Sequence, residues 1–249
     1  VTAGVYLLVR CSPLLEHSPV LLALTAVIGV TTALFGASTA LCQNDLKKVI
    51  AYSTCSQLGY MVCACGLSAY SAAMFHLTTH AFFKALLFLC AGSVIHAMAD
   101  EQDMRKMGGL AKILPFTYVA MLIGSLSLGG FPFLAGFYSK DLILELAAST
   151  HTYLGLYIFV VGTLGAVFTT LYSVRLIMLT FLTKTNAFRG VIEKAHDAPL
   201  LMALPLLILS ILSVVGGWLL KPIFISSKGE FNFNFWNASI YVDCHNYLM

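Results

Sequence analysis

The run from Tyr70 to Met98 limits what this chain can fold into more than any other stretch. Its centre, Phe75 to Phe88, reads FHLTTHAFFKALLF and sets His76, His80 and Lys84 four residues apart in otherwise apolar surroundings. A bilayer crossing needs about 20 residues, which this run exceeds, and Lys84 stands at its middle, about 21 Å from either end. That is beyond the reach of a snorkelling lysine stem. At about 100° per residue the three side chains share an arc of about 80° and rise about 12 Å along the axis. A lysine at mid-helix costs about 2.5 to 3.5 kcal/mol to insert, so the stripe must face other helices or internal water. From the residues alone it is either a titratable row that handles charge or hydrogen-bonding glue between helices. A metal site is disfavoured, because no Asp, Glu or Cys shares that face.

The rest of the chain repeats the constraint. Of 249 residues 59% are hydrophobic and 10% charged, and the mean hydropathy of +0.88 lies outside the range of a soluble domain. Unbroken apolar runs exclude a β-barrel, whose strands alternate over about 10 residues. The expected fold class is all-α: a polytopic transmembrane helix bundle with six full spans plus a partial N-terminal helix. The net charge of +3 carries no nucleic-acid signal, since the basic residues flank apolar runs and report topology instead. The partner so implied is the lipid bilayer. Seven cysteines, most of them inside apolar runs and none in paired metal spacing, read as small hydrophobes.

Spans are expected at Val20 to Cys42, Val49 to Leu67, Tyr70 to Met98, Ile113 to Ser149, Tyr153 to Leu182 and Pro199 to Leu220. The second opens with Tyr52, Ser53, Thr54, Ser56 and Gln57, too polar for a lipid face. These residues either line a hydrated interior or bond to neighbouring helices. The fourth would be about 55 Å long as one helix, against a hydrocarbon core of about 30 Å. It is expected to break at Gly129-Gly130-Phe131-Pro132. Ser139 would cap a second half beginning SKDLILEL and place Lys140 at a new helix N-terminus with Asp141 beside it. Arg175, near the end of the fifth span, is expected to snorkel.

Residues 1–10 read as a partial helix completed by another chain, and residues 222–249, with Trp236 and alternating Phe and Asn, as an interfacial tail. Asn237-Ala238-Ser239 matches the glycosylation triplet, a pattern frequent by chance. One set of loops, at residues 43–48, 99–112 and 183–198, holds Lys47, Lys48, Arg105, Lys106, Lys112, Lys184, Arg189 and Lys194. The opposite set holds Arg10, Lys221 and Lys228. The richer side is expected to face the matrix or cytoplasm.

Three motifs then carry a resemblance. QNDLKKVIAYSTCSQLGYM, FHLTTHAFFKALLFLCAGSVIH and GFPFLAGFYSKDLILE, in this order and at these intervals, resemble the antiporter-like proton-pumping membrane subunits of NADH:ubiquinone oxidoreductase, respiratory complex I. Among these they are most similar to the fifth. Cation/proton antiporter subunits share much of the pattern. The resemblance implies a proton relay of His76, His80, Lys84 and Lys140, with Asp141 beside the terminal lysine and Lys47 at the polar helix start. It makes residues 20–182 a five-span repeat, the second of an inverted pair. It places the chain in the mitochondrial inner membrane among other membrane-arm subunits. It also assigns FMN, iron–sulfur clusters and ubiquinone to the complex and no cofactor to this chain. Family members have a whole first repeat before this point and a lateral helix after it, so the chain is expected to be one piece of a split subunit. A separate chain would then supply the N-terminal part.

Overall fold

The computed structural model describes residues 2–193, 195–225 and 240. Expectations for Val1, Lys194, Lys228, Trp236 and the Asn237-Ala238-Ser239 triplet lie outside these residues.

The described part is mostly helical, with an isolated bridge pairing Asp45 and Asp103 between two loops. Short helices α1 (Thr2–Arg10) and α2 (Ser12–Leu15) lead into α3 (Pro19–Cys42). Ser18 caps α3 by accepting from Leu21 N at 3.4 Å, with Pro19 in the first position, where a missing N–H costs nothing. Helix α4 (Leu46–Gly66) is capped by Asp45, whose carboxylate accepts from Lys47 N at 2.9 Å. Helix α5 (Tyr70–Ala97) is the organising run. After a loop of two 3₁₀ turns come α6 (Pro115–Gly129) and α7 (Ala135–Ser149). Helix α8 (Tyr153–Ile177) ends in a π-helical turn, Met178–Leu182. A single turn, α9 (Arg189–Ile192), precedes α10 (Leu200–Phe224). The last helix therefore continues past Leu220 through Pro222 to Phe224. Helices α3, α5, α8 with its π turn, and α10 are long and apolar enough to cross a membrane. Helix α4, with its polar first turns, and the broken pair α6 and α7 complete the bundle.

Helices α3 and α4 touch backbone to backbone. A Cβ at Gly29 would lie 2.3 Å from Cys63 N, and one at Gly59 would lie 2.5 Å from Ala33 N. Small residues permit this approach, and in lipid close van der Waals packing is a main source of helix association. Helix α5 packs against α4, α6, α7 and α10, which buries His76, His80 and Lys84 together.

The break falls where the sequence places it, but its second half starts earlier. Gly130 ends α6 in the left-handed conformation at φ 81°, and α7 resumes at Ala135 instead of Ser139. Lys140 consequently lies in the second turn of α7, not at its N-terminus. The cap expected from Ser139 comes instead from across the break: Ser127 Oγ of α6 accepts from Gly136 N at 3.3 Å. The two halves meet so tightly there that a Cβ on Gly136 would fall 1.8 Å from Ser127 O. Ser139 is left free to turn inward.

Other local expectations also change. Arg175 does not snorkel but donates to Leu41 O at 2.7 Å, Gln43 O at 2.5 Å and Asn44 Oδ1 at 2.7 Å, closing the C-terminal end of α3. Cys63, Cys65 and Cys90 are buried, whereas Cys42 and Cys55 are exposed on the bundle's outer surface. Asp197, from the loop before α10, caps α6 by accepting from Phe116 N at 2.8 Å and from Thr117 Oγ1 at 2.6 Å. In the loop after α5 the Arg105 guanidinium beside Asp103 holds its carboxyl down to about 2.

Candidate functional site

Four helices bring polar side chains to one buried line. Helix α5 supplies His76, Thr79, His80 and Lys84, all within 4% of full burial. Helix α4 supplies Ser53 and Gln57, four residues apart and hence stacked on one face. Helix α7 supplies Ser139 and Lys140, and α8 supplies Thr169 and Tyr172. Around them the interior is apolar, with Phe83, Leu86 and Ile50 fully buried.

The hydrogen bonds fall into three segments. Lys84 Nζ donates to Ser53 Oγ. Thr79 Oγ1 donates to Ser139 Oγ at 2.9 Å, Ser139 Oγ lies 2.9 Å from His76 Nδ1, and His76 Nε2 lies 3.2 Å from Gln57 Oε1. With that carbonyl as acceptor, Nε2 carries the hydrogen and Nδ1 accepts from Ser139, so the segment has one direction. Lys140 Nζ donates to Thr169 Oγ1 at 2.9 Å and stands 5.1 Å from the centre of the Tyr60 ring, whose hydroxyl donates to Gly162 O at 2.6 Å. Because Ser139 and Lys140 are sequence neighbours, the second and third segments meet on α7. The His76 and His80 rings are 6.2 Å apart, and His80 sits edge-on to Phe83 at 5.4 Å.

Among the described residues three buried side-chain polar atoms have no hydrogen-bond partner: Gln57 Nε2, His80 Nε2 and Tyr172 Oη. All three belong to this line. In a folded interior such atoms are rare, and ordered water is their usual partner.

The expected site residues divide accordingly. His76, His80, Lys84 and Lys140 come together. Asp141 is half-buried on the flank of α7, and Lys47 is exposed in the first turn of α4, away from the line. Of the polar set on α4, Ser53 and Gln57 join the line, Ser56 donates to Ala33 O at 2.8 Å, and Tyr52 is exposed. Sequence reasoning missed Thr79, Thr169, Tyr60 and Tyr172. A signal existed for two of them, since Thr169 and Tyr172 are polar and three apart inside an apolar span. No group of three His, Cys, Asp or Glu able to hold a metal ion occurs among the described residues. A cavity of about 460 Å³ beside the break, lined by Leu122, Phe131, Thr170 and Ile177, is apolar and contains none of these titratable groups.

Comparison with known proteins places this geometry. Residues 1–169 match the family described as NADH:quinone oxidoreductase/Mrp antiporter, TM. The NADH-ubiquinone oxidoreductase chain 5 of Phytophthora infestans is 56% identical over 249 residues, which is 100% of this chain and 37% of that one. The chain 5 of Metridium senile is 60% identical over 223 residues, covering 90% of this chain and 37% of its own. Thus the chain spans a little over a third of the length of these curated relatives. Among solved structures, one of the Mrp complex from Dietzia sp. DQ12-45-1b aligns at TM-score 0.76 with 33% identity, over 89% of this chain and 24% of that one. One of a membrane-bound sulfane sulfur reductase, an archaeal respiratory membrane complex, aligns at TM-score 0.71 with 32% identity, over 80% of this chain and 32% of that one.

Proposed function

Since the chain belongs to the NADH:quinone oxidoreductase/Mrp antiporter membrane family, we propose that it is a proton-carrying part of the fifth membrane subunit of NADH:ubiquinone oxidoreductase. The observation that carries this reading is the buried polar line from Lys84 to Lys140, enclosed by four helices in an otherwise apolar interior. Intramembrane ionisable groups are costly, and a buried row of them on one line, set among polar neighbours, is the arrangement a proton relay needs. Lys84 and Lys140 store the proton; His80 and His76 pass it through imidazoles that accept at one nitrogen and release at the other. Ser53, Thr79, Ser139 and Thr169 fix these groups by hydrogen bonds. Asp141 flanks Lys140, and Lys47 stands at the polar end of α4, outside the buried line.

On this reading the chain has no redox group of its own, and FMN, iron–sulfur clusters and ubiquinone belong to other parts of the complex. The location is the mitochondrial inner membrane, with loops 43–48, 99–112 and 183–198 on the matrix side. The basic residues collected in those loops support that orientation, and thiol labelling of Lys112→Cys from the matrix face alone tests it. The chain's partners on this reading are other membrane subunits of the complex.

The test of the function is Lys84→Met in the assembled complex. Assembly and NADH oxidation in uncoupled membranes are expected to persist while protons moved per electron fall. Unchanged pumping with normal assembly refutes a conducting role and leaves a structural one. A second reading, a cation/proton antiporter subunit, is favoured by the likeness to the Mrp complex. Isolation with small membrane subunits alone, and sodium-driven proton exchange, would select it over copurification with flavin and iron–sulfur subunits.

A further inference from the structure

The two lysines of the buried line are not held alike. Each donates to a hydroxyl whose own hydrogen is already spent: Ser53 Oγ donates to Ile50 O at 2.9 Å, and Thr169 Oγ1 donates to Ala166 O at 2.7 Å. Neither hydroxyl has a hydrogen left for the lone pair of a neutral amine. The difference between the sites is the Tyr60 ring, whose centre lies 5.1 Å from Lys140 Nζ. Among the described residues the other lysine over a ring is Lys221, and Lys84 has no such face. Tyr60 is buried and fixed in place, because its hydroxyl donates to Gly162 O at 2.6 Å. Helix α8 leaves room for that hydroxyl through Gly165, where a Cβ would lie 2.6 Å from Tyr60 Oη. No carboxylate competes for the ammonium. The ion pairs among the described residues join Arg105 to Asp103 and Lys106 to Glu101, and Asp141 stands half-buried on the flank of α7.

We propose that Tyr60 is a positioning residue whose ring face holds Lys140 as the ammonium, so that the relay proton rests on Lys140 and not on Lys84. The inference rests on the proton-relay reading given above. An aromatic face carries partial negative charge; it attracts an ammonium within about 6 Å of its centre and does little for a neutral amine. The attraction is strongest where water is excluded, and both groups are buried. A buried carboxylate in the same place would keep the proton in a salt bridge, whereas a ring face favours the charge and still lets it leave. Other charges around α7 are few. On α5, His76 is neutral between Ser139 and Gln57, and His80 and Lys84 follow one and two turns further along. On α7 itself Asp141 is half-buried and Glu145 exposed. Helix α10 brings the exposed Lys221, which stands 5.7 Å from the centre of the Tyr138 ring. Along this buried stretch α4, α6 and α8 bring hydroxyls, phenols and a thiol but no charge, so the Tyr60 ring and Thr169 are what Lys140 Nζ meets.

The experiment is Tyr60→Leu in the assembled respiratory complex, which removes the ring face. The alkaline limb of the pH profile of pumping should move toward acid by about one unit, a change of about tenfold in the ratio of ammonium to amine at Lys140. Tyr60→Phe restores the face without the hydroxyl and should bring the profile back. A packing defect instead lowers pumping by one factor at every pH and leaves the profile where it is. That outcome for Tyr60→Leu, or a shift in Tyr60→Phe as large as in Tyr60→Leu, overturns the inference. If Lys84→Met stops pumping and Tyr60→Leu leaves the profile unmoved, this inference is wrong and the relay stands. If Lys84→Met pumps normally, both fall. Should Tyr60→Leu fail to assemble, Gly165→Ala decides, because its Cβ displaces the Tyr60 hydroxyl and tilts the ring, while the nearest backbone atom, Leu34 Cα, is 4.0 Å away. A profile moved toward acid supports the assignment, and an unmoved one overturns it.

Discussion

Gly59→Ala should damage this chain more than its size suggests, and the geometry says by how much. The added Cβ would stand 2.5 Å from Ala33 N, 2.6 Å from Gly29 O and 2.8 Å from Ala33 Cα. These are backbone atoms of α3, so no rotamer change relieves the clash. Relief to about 3.4 Å needs the two helices to part by about 1 Å, which forfeits a quarter to a half of each dispersion contact along the seam. Overpacking of this kind costs about 3 kcal/mol at the upper end of its range. Alanine returns about 1 kcal/mol through its better helix propensity. The net loss of about 2 kcal/mol is a factor of about 30 in the folded population. A functional effect should accompany it, because Gln57 and Ser53 ride on α4 and hold His76 and Lys84; an error of about 1 Å in such a group can cost about 100-fold. The assay is the melting temperature and proton pumping of the complex in native-like membranes. Gly92→Ala is the control, since nothing lies within 4 Å of the added Cβ and helix propensity alone predicts neutrality or slight gain. Wild-type melting and pumping in Gly59→Ala would show that the seam between α3 and α4 yields freely, and would refute the argument.

Arg175→Lys keeps the charge but loses the fork that reaches Leu41 O, Gln43 O and Asn44 Oδ1. The loss should be about 1 to 2 kcal/mol, read as a lower melting temperature, and an unchanged one would count against the clamp. Asp103 has its carboxyl held down to about 2 by the hydrogen bond from Arg105. Its contribution is complete above its unfolded value of about 4 and is lost as pH falls through about 2. Hydrogen exchange of residues 104–110, corrected for intrinsic rates, should therefore be flat between pH 5 and 8, and a change within that window would contradict the assignment.

The sequence by itself determined the fold class and the existence of the line. Apolar runs longer than a bilayer admit helices and little else, because backbone groups in lipid must bond within their own segment. The four-residue spacing of His76, His80 and Lys84 puts them on one face whatever surrounds that helix. Gly129 to Pro132 announces the break, since a proline without a donor after two glycines cannot continue a helix. What the line touches was decided by packing. The restart of α7 at Ala135 depends on Ser127 of another helix, a contact that no local pattern of caps encodes. That shift moved Lys140 off the helix end and turned Ser139 toward His76. The same holds for Arg175, which reads as a snorkelling charge along its own span and closes the end of α3 in the fold. Tyr172 reads as one aromatic in an apolar span, and the tertiary structure sets its hydroxyl beside Ser53 and Gln57 of α4. Spacing along one helix fixes which side chains share a face, whereas bonding partners more than a hundred residues apart depend on how the helices pack against one another.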